Sequence, residues 1–366
     1  MSKVISNKNE SSKAPVKGLR VFCFGELLLR MSPSLNGEWI RDAQMPLYIG
    51  GAELNVATAL SNWGTPVKYC TALPDNYLSR EIIDELAQKK IDTSAIQFSG
   101  DRIGIYYLPQ GADLKNAGVI YDRAHSSFAA LSPGMINWPE VLKDCSWFHF
   151  SAITPALNTG TAMVCTEALK AASDMGLTIS VDLNYRSKLW KYGKKPVEVM
   201  PELVKYCDVV MGNIWAAESL LGLPSTIQES KGRTTDELKE AAGKSMRAIH
   251  DNYPNVKSIA YTFRLDRSYF GLLQHFSTLA ISKEFPLQSV VDKAGSGDCF
   301  MAGLIYSLIK LNAFSKASPS GGGLEGAVDF AAAAAVGKLG EKGDATRQTI
   351  QSINELLNKK WTITSQ

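Results

Sequence analysis

Two short stretches combine glycine, carboxylate and amide side chains at spacings that could support transfer of an anionic group. In Val290-Val291-Asp292-Lys293-Ala294-Gly295-Ser296-Gly297-Asp298-Cys299-Phe300-Met301-Ala302-Gly303 an apolar strand runs into a glycine-rich turn. A helix with an apolar face of Phe300, Leu304, Ile305 and Leu308 follows. The first N–H groups of such a helix have no intrahelical acceptor, so they attract an anion, and the glycines let a phosphate approach the backbone. Asp298 would repel a phosphate held there. Beside the anion pocket it could instead accept the proton of an attacking hydroxyl during phosphoryl transfer. The plainer alternative is a carboxylate that favours the positive helix end, worth a few tenths to about 1 kcal/mol.

The second stretch, Gly50-Gly51-Ala52-Glu53-Leu54-Asn55-Val56-Ala57, sets two glycines before another helix. Paired glycines allow close approach of a ligand, and Asn55 offers both a donor and an acceptor to hydroxyls. A capped loop with no ligand would read the same way. Other phosphate motifs fit less well. A GxGxxG turn would need glycine where Phe300 stands. Gly243-Lys244-Ser245 resembles the end of a Walker A loop, but position 238 is Leu238 and the segment reads as one continuous helix.

The elements around these turns indicate an α/β fold. Near-continuous apolar runs (LRVFCFGELLLRMS with a strand ending near Gly25-Glu26, VKYCTAL, CSWFHFSA, LTISVDLN, CDVVMGN) alternate with segments of helical period. That pattern predicts a mostly parallel sheet covered on both faces. Residues 37–49 and 102–123 mix polar and apolar positions around turn-rich centres and are read as strands of a small lid sheet. Residues 1–18 are expected to be a disordered tail, and 312–326 a mobile Gly/Ser/Pro loop. The remaining 19–366 read as one domain with the lid inserted twice, although the length alone suggests roughly two domains.

Composition narrows the function classes. A net charge of +3 over 366 residues leaves no broad basic face, so nucleic acid is not expected as a partner. No apolar run approaches the ~18 residues of a membrane span, and the polar start lacks the apolar core of a signal peptide. Six cysteines without a CxxC pair read as buried hydrophobes in a reducing, cytoplasmic setting. The four histidines show no ligand spacing, so no metal site is assigned.

GGAELNVATALSNWG resembles the first signature of the ribokinase-like (PfkB) carbohydrate kinases, with Trp63 for a leucine, and DKAGSGDCFMAG resembles their second. The order and a separation of about 240 residues also agree. The resemblance implies a ribokinase-like fold, ATP as phosphoryl donor, and Mg²⁺ bound mainly through the phosphates. It makes Gly295, Ser296 and Gly297 the anion hole, Asp298 the base, and Gly50, Gly51 and Asn55 part of the sugar site. It also leaves room for a monovalent cation near Asp292 and for a dimer formed through the lid.

Within the family, several segments resemble the 2-keto-3-deoxygluconate kinases: Gly25-Glu26 with the following LLLRMS, Gly104-Ile105-Tyr106-Tyr107, Ile120-Tyr121-Asp122-Arg123, and Asp182-Leu183-Asn184-Tyr185-Arg186. An acid sugar carries a carboxylate at one end and the reactive hydroxyl at the other. Arg123 and Arg186 are the candidates to bind the carboxylate in a bidentate fashion, with Tyr106 and Tyr121 supplying phenolic hydrogen bonds. The chain departs from the family pattern where Asn213-Ile214-Trp215-Ala216 replaces Asn-x-x-Glu, with Glu218 two residues further on. A TxGxxG hairpin is replaced by Thr262-Phe263-Arg264-Leu265-Asp266-Arg267. The resemblance still points to Asn213 and Thr262 as nucleotide contacts, with Arg264 on phosphate and Lys293 nearby. The alternatives are a fructokinase-like enzyme on a neutral ketose and a sugar- or nucleotide-binding sensor without catalysis.

Overall fold

The continuous apolar runs become the strands of one large sheet, because strands covered on both faces need no polar alternation. A computed structural model describes residues 19–34, 39–110, 118–314 and 321–359; the tail expected over 1–18 lies outside them. From one edge the sheet order is Thr278–Ile281, Ser268–His275, Ser258–Arg264, Val209–Gly212, Thr178–Asp182, Trp147–Ser151, Val21–Phe24, Val67–Cys70 and Ile91–Asp92. The pairs from Ser258–Arg264 to Ile91–Asp92 are parallel, and the first two junctions are antiparallel. All four side chains of Val21–Phe24 are fully buried, as are Phe148 and Phe150 on the strand Trp147–Ser151, far away in sequence and adjacent in space.

Helices cover both faces. On one, Phe22, Phe24, Phe148 and Phe150 pack with Val164, Leu169, Met200 and Met246. On the other, Val21, Cys23 and Tyr69 pack with Leu54, Leu60, Phe300, Leu304 and the alanines of Gly321–Leu339. The latter helix lies close against Ser296–Lys310, which alanine permits; an added Cβ on Gly303 would meet the Ala331 backbone. The segment around Gly243-Lys244-Ser245 lies within the helix Thr235–Asn252, opened by a capping box of Thr234 and Glu237, so it cradles no phosphate. Among the described residues no helix is long and apolar enough to cross a membrane.

A second sheet of four strands, ordered Leu47–Gly50, Leu28–Met31, Gly104–Tyr107 and Ile120–Asp122, stands beside the first. Two expectations need correction here, and one strand was not foreseen. The strand expected over 37–49 is only Leu47–Gly50, since Trp39–Asp42 is a helical turn. In the run LRVFCFGELLLRMS the expected strand ending near Gly25-Glu26 is Val21–Phe24 of the main sheet, while Leu28–Met31, not foreseen as a strand, crosses into the lid and supplies one of its two inner strands. The loop expected over 312–326 is helical from Gly321 onward, and residues 315–320 lie outside the described part. In that last case glycine content misled: the helix forms although Gly326 is exposed and has open space around it.

Candidate active site

A cleft of about 890 Å³ opens where the lid faces the carboxyl ends of the main-sheet strands, the usual ligand position in open α/β sheets. Its lid side is formed by Leu28, Tyr106, Val119, Tyr121 and Arg123, its sheet side by Asp182, Met211, Asn213, Thr262 and Arg264. Gly51, Asn55 and the turn Gly295–Asp298 close one end, and Arg186 also lines it. The topology therefore gathers every singled-out site residue except Gly50 around one space. Gly50 ends the strand Leu47–Gly50, and the room its missing Cβ leaves is taken by the Asp344 carboxylate. It accommodates a side chain of the protein, not a ligand.

The two glycine stretches each open a helix, Ala52–Asn62 and Ser296–Lys310, and the two helices pack against one another. That contact brings Asn55 Nδ2 to 2.7 Å from Asp298 Oδ2 across 243 residues of chain. Burial raises the Asp298 carboxyl to about 7, against the Asn55 hydrogen bond and the Arg186 charge, which favour ionisation. A carboxylate with that value is suited to act as a base near neutral pH. Gly295 caps the helix without a side-chain hydrogen bond, so the reading of Asp298 as a mere helix-end residue leaves its bond to Asn55 unexplained. Asn55 Oδ1 is buried with no partner among the described residues, an acceptor suited to a ligand hydroxyl.

Losing the Asn55 donor should move the acid limb of the pH–rate profile. With Asn55→Ala the ionised form of Asp298 loses a charge-assisted bond, so its pKa rises and the limb shifts by about one unit toward higher pH. Profiles of kcat/KM for the variant and the wild type check this, and an unmoved limb would detach Asn55 from Asp298.

Other groups sit differently from the sequence expectation. The Ser296 hydroxyl donates to Ala335 O at 3.1 Å, so only its N–H can contribute to an anion hole. Glu218 does not line the cleft; its Oε1 accepts from Ser225 N at 3.2 Å, so it does not replace the missing carboxylate of Asn-x-x-Glu. Asn213 Oδ1 accepts from Ala216 N at 2.9 Å and caps the helix Ile214–Leu221, while its residue still lines the cleft. The hairpin of Thr262 and Arg264 forms without glycine, closed by Leu265 N to Ser268 O at 2.8 Å.

The two arginines are not equivalent. Arg123 Nε donates to Glu26 Oε2 at 2.7 Å and Nη2 donates to the same oxygen, while the Ser126 hydroxyl donates to Glu26 Oε1. Its charge is thus already matched. Arg186 is half-buried and donates, among the described residues, only Nη1 to Tyr185 O at 3.3 Å.

Sequence reasoning missed the groups behind this wall. Arg30 is fully buried and paired with Asp292 and Asp344, and Tyr106 donates its hydroxyl to Asp344. Glu53 Oε1 accepts from Ser151 N at 2.9 Å and Ser151 Oγ at 2.6 Å, under the same helix as Asn55. A lone arginine within the apolar run LLLRMS was the available signal for Arg30; Asp344 lies in a turn with no such contrast.

The residues 19–251 and 277–350 match the profile of the pfkB family carbohydrate kinases. The 2-dehydro-3-deoxygalactonokinase of Haloferax volcanii is 29% identical over 335 residues, 91% of this chain and 95% of that protein. The crystal structure of the 2-dehydro-3-deoxygluconokinase of Thermotoga maritima superposes with a TM-score of 0.80 at 31% identity, covering 93% of this chain and all of that one. A fructokinase of Vibrio cholerae, solved with fructose, ADP and calcium, shares the fold at a TM-score of 0.69 and 18% identity, over 93% of this chain and all of its own. The chain belongs to the pfkB family of carbohydrate kinases, phosphotransferases that act on a sugar hydroxyl.

Proposed function

We propose that this sugar kinase phosphorylates the terminal hydroxyl of 2-keto-3-deoxygluconate with ATP, giving 2-keto-3-deoxy-6-phosphogluconate. The observation that carries the substrate class is Arg186, a guanidinium with donors to spare on the wall of the cleft that also holds Asp298. The names of the Haloferax and Thermotoga relatives support an acid sugar of this kind. In this reading the carboxylate meets Arg186, with Arg123 and the phenols of Tyr106 and Tyr121 on the lid side. Gly51 and Asn55 hold the sugar hydroxyls, and Asp298 removes the proton from the attacking hydroxyl. The N–H groups of the turn from Gly295 to Gly297 stabilise charge on the transferred phosphoryl group. The nucleotide would lie against Asn213, Thr262 and Arg264. Lid and sheet together keep out water, which would otherwise compete as acceptor.

Among the described residues no group of three or more His, Cys, Asp or Glu is placed to hold a metal. In this reading Mg²⁺ is carried on the phosphates of ATP, where it neutralises charge. Exposed Ile40, Leu47 and Ile120 on the lid fit pairing with a second copy, and six buried free cysteines fit a reducing, cytoplasmic compartment.

The neutralised Arg123 favours the second reading, a kinase for a neutral ketose such as fructose. An ADP-release assay over 2-keto-3-deoxygluconate, its galactonate epimer and fructose separates them. Turnover of the acids well above fructose is expected. Arg186→Ala should cost about 10- to 100-fold in kcat/KM on the acids and little on fructose. A preference for fructose, or equal losses on both, would remove Arg186 as the carboxylate partner.

A further inference from the structure

The turn that carries Asp298 rests on buried cations of the chain itself. Arg30, on the lid strand Leu28–Met31, has no exposed surface. Its Nη1 donates to Asp292 Oδ1 at 3.3 Å and its Nη2 to Asp292 Oδ2, while Nη1 lies 3.0 Å from Asp344 Oδ1. The Tyr48 ring covers the guanidinium at 4.8 Å. From the other side comes Lys338, in the last turn of Gly321–Leu339 and also without exposed surface. Its Nζ donates to Glu341 O at 3.3 Å, and its Cε abuts the open side of Gly295. Burial lowers the Lys338 pKa, and the charges of Asp292, Glu341 and Asp344 work against that by favouring its charged form.

This arrangement can be set against the monovalent cation that the family resemblance allows near Asp292. Such an ion needs oxygens turned toward one point. Both Asp292 oxygens are already taken, Oδ1 by Arg30 and Ala294 N at 3.2 Å, Oδ2 by Arg30 and Gly343 N at 3.2 Å. The buried charges of Asp292 and Asp344 are already matched by the buried Arg30 and Lys338, so no ion is needed to neutralise them. The residues present do not fit the ion.

We propose that Arg30 and Lys338 are fixed internal cations that hold the turn from Asp292 to Asp298 in its anion-binding shape, and that this kinase works without a monovalent cation. Arg30 ties the turn to the lid and Lys338 ties it to the C-terminal loop of Glu341 and Asp344. Both are positioning residues, since neither lines the cleft. The activity arm of the proposal rests on the kinase reading above; the melting and nucleotide arms do not.

The test compares potassium chloride with tetramethylammonium chloride at equal ionic strength, using the full chain. The readouts are the melting temperature without ligand, ADP affinity by calorimetry, and turnover of the acid sugars. For the wild type we expect less than about 1 °C and less than about twofold difference in every readout, because an ion that does not bind the native state cannot stabilise it. Lys338→Ala opens space beneath Gly295. It should lose at least about tenfold in turnover in tetramethylammonium, and potassium or methylammonium should raise its melting temperature and restore part of that turnover. A potassium-specific rise in the melting temperature, ADP affinity or turnover of the wild type overturns the proposal. So does a Lys338→Ala protein that behaves as the wild type in both salts. If the variant does not fold, the wild-type comparison alone decides. If no sugar acid is turned over, the substrate reading fails while melting and ADP binding still test the internal cations.

Discussion

Asp298→Asn is expected to keep the fold and to lower turnover by about a hundred- to ten-thousandfold, the usual contribution of a general base. The amide can still accept the bond from Asn55 Nδ2, so packing around the helix Ser296–Lys310 should survive. The wild-type rate should rise with pH through about 7, where Asp298 loses its proton, and the variant should lack that limb. The same shift sets a stability difference of definite sign. Asp298 ionises near 3.8 when exposed and near about 7 in the fold, so the folded state holds the proton more tightly. Its contribution to stability is greatest below about pH 4 and is lost as pH rises through about 7. At about pH 8 the wild type therefore carries a buried, desolvated charge that the variant lacks, a difference on the order of 1–4 kcal/mol. The variant should melt above the wild type there and lose that advantage by about pH 4. Circular dichroism melts at both pH values, with turnover beside them, check the pair of effects. Near-normal turnover would remove Asp298 as the base.

The second large effect separates two glycines of one turn. Gly295 has φ 78°, and a Cβ there would fall inside the van der Waals radius of the Asp344 carbonyl oxygen. That oxygen belongs to the backbone and cannot swing aside. Gly295→Ala should displace the turn, cost a few kcal/mol of stability and lower turnover by about a hundredfold or more. Gly297, in the first turn of the same helix, offers open space to a Cβ. Gly297→Ala should therefore fold as well as the wild type, or better by up to about 1 kcal/mol from helix propensity. If the turn binds phosphate, that methyl group intrudes on it, and turnover and ATP affinity should fall without loss of stability. A fully active Gly297→Ala would take the anion hole away from this turn. Melting temperature and kinetics measured on both variants make the contrast visible.

The sequence was most legible where chemistry and local geometry coincide. Each glycine stretch opens a helix, and a turn with its helix start is a local pattern that a short run of sequence can show. The main-sheet strands were legible because both-sided burial demands unbroken apolar runs. Leu28–Met31 was not, since a strand that leaves one sheet for another shows no change of composition at the crossing. Nor was the start of the helix at Gly321, because a glycine-rich run reads as a turn by composition.

By itself, the sequence determined the sheet-and-helix alternation and the two glycine-led helix starts that carry Asn55 and Asp298. Only the tertiary structure decided which charges stand together behind them. Arg30 meets Asp292 across 262 residues and Tyr106 meets Asp344 across 238, while Arg123 is claimed by Glu26 from 97 residues away. Local propensity encodes an arginine's chance to be in a strand. The partner that neutralises its buried charge is set by which strands and loops pack together, and that packing leaves Arg186 on the cleft wall with a bond to Tyr185 O.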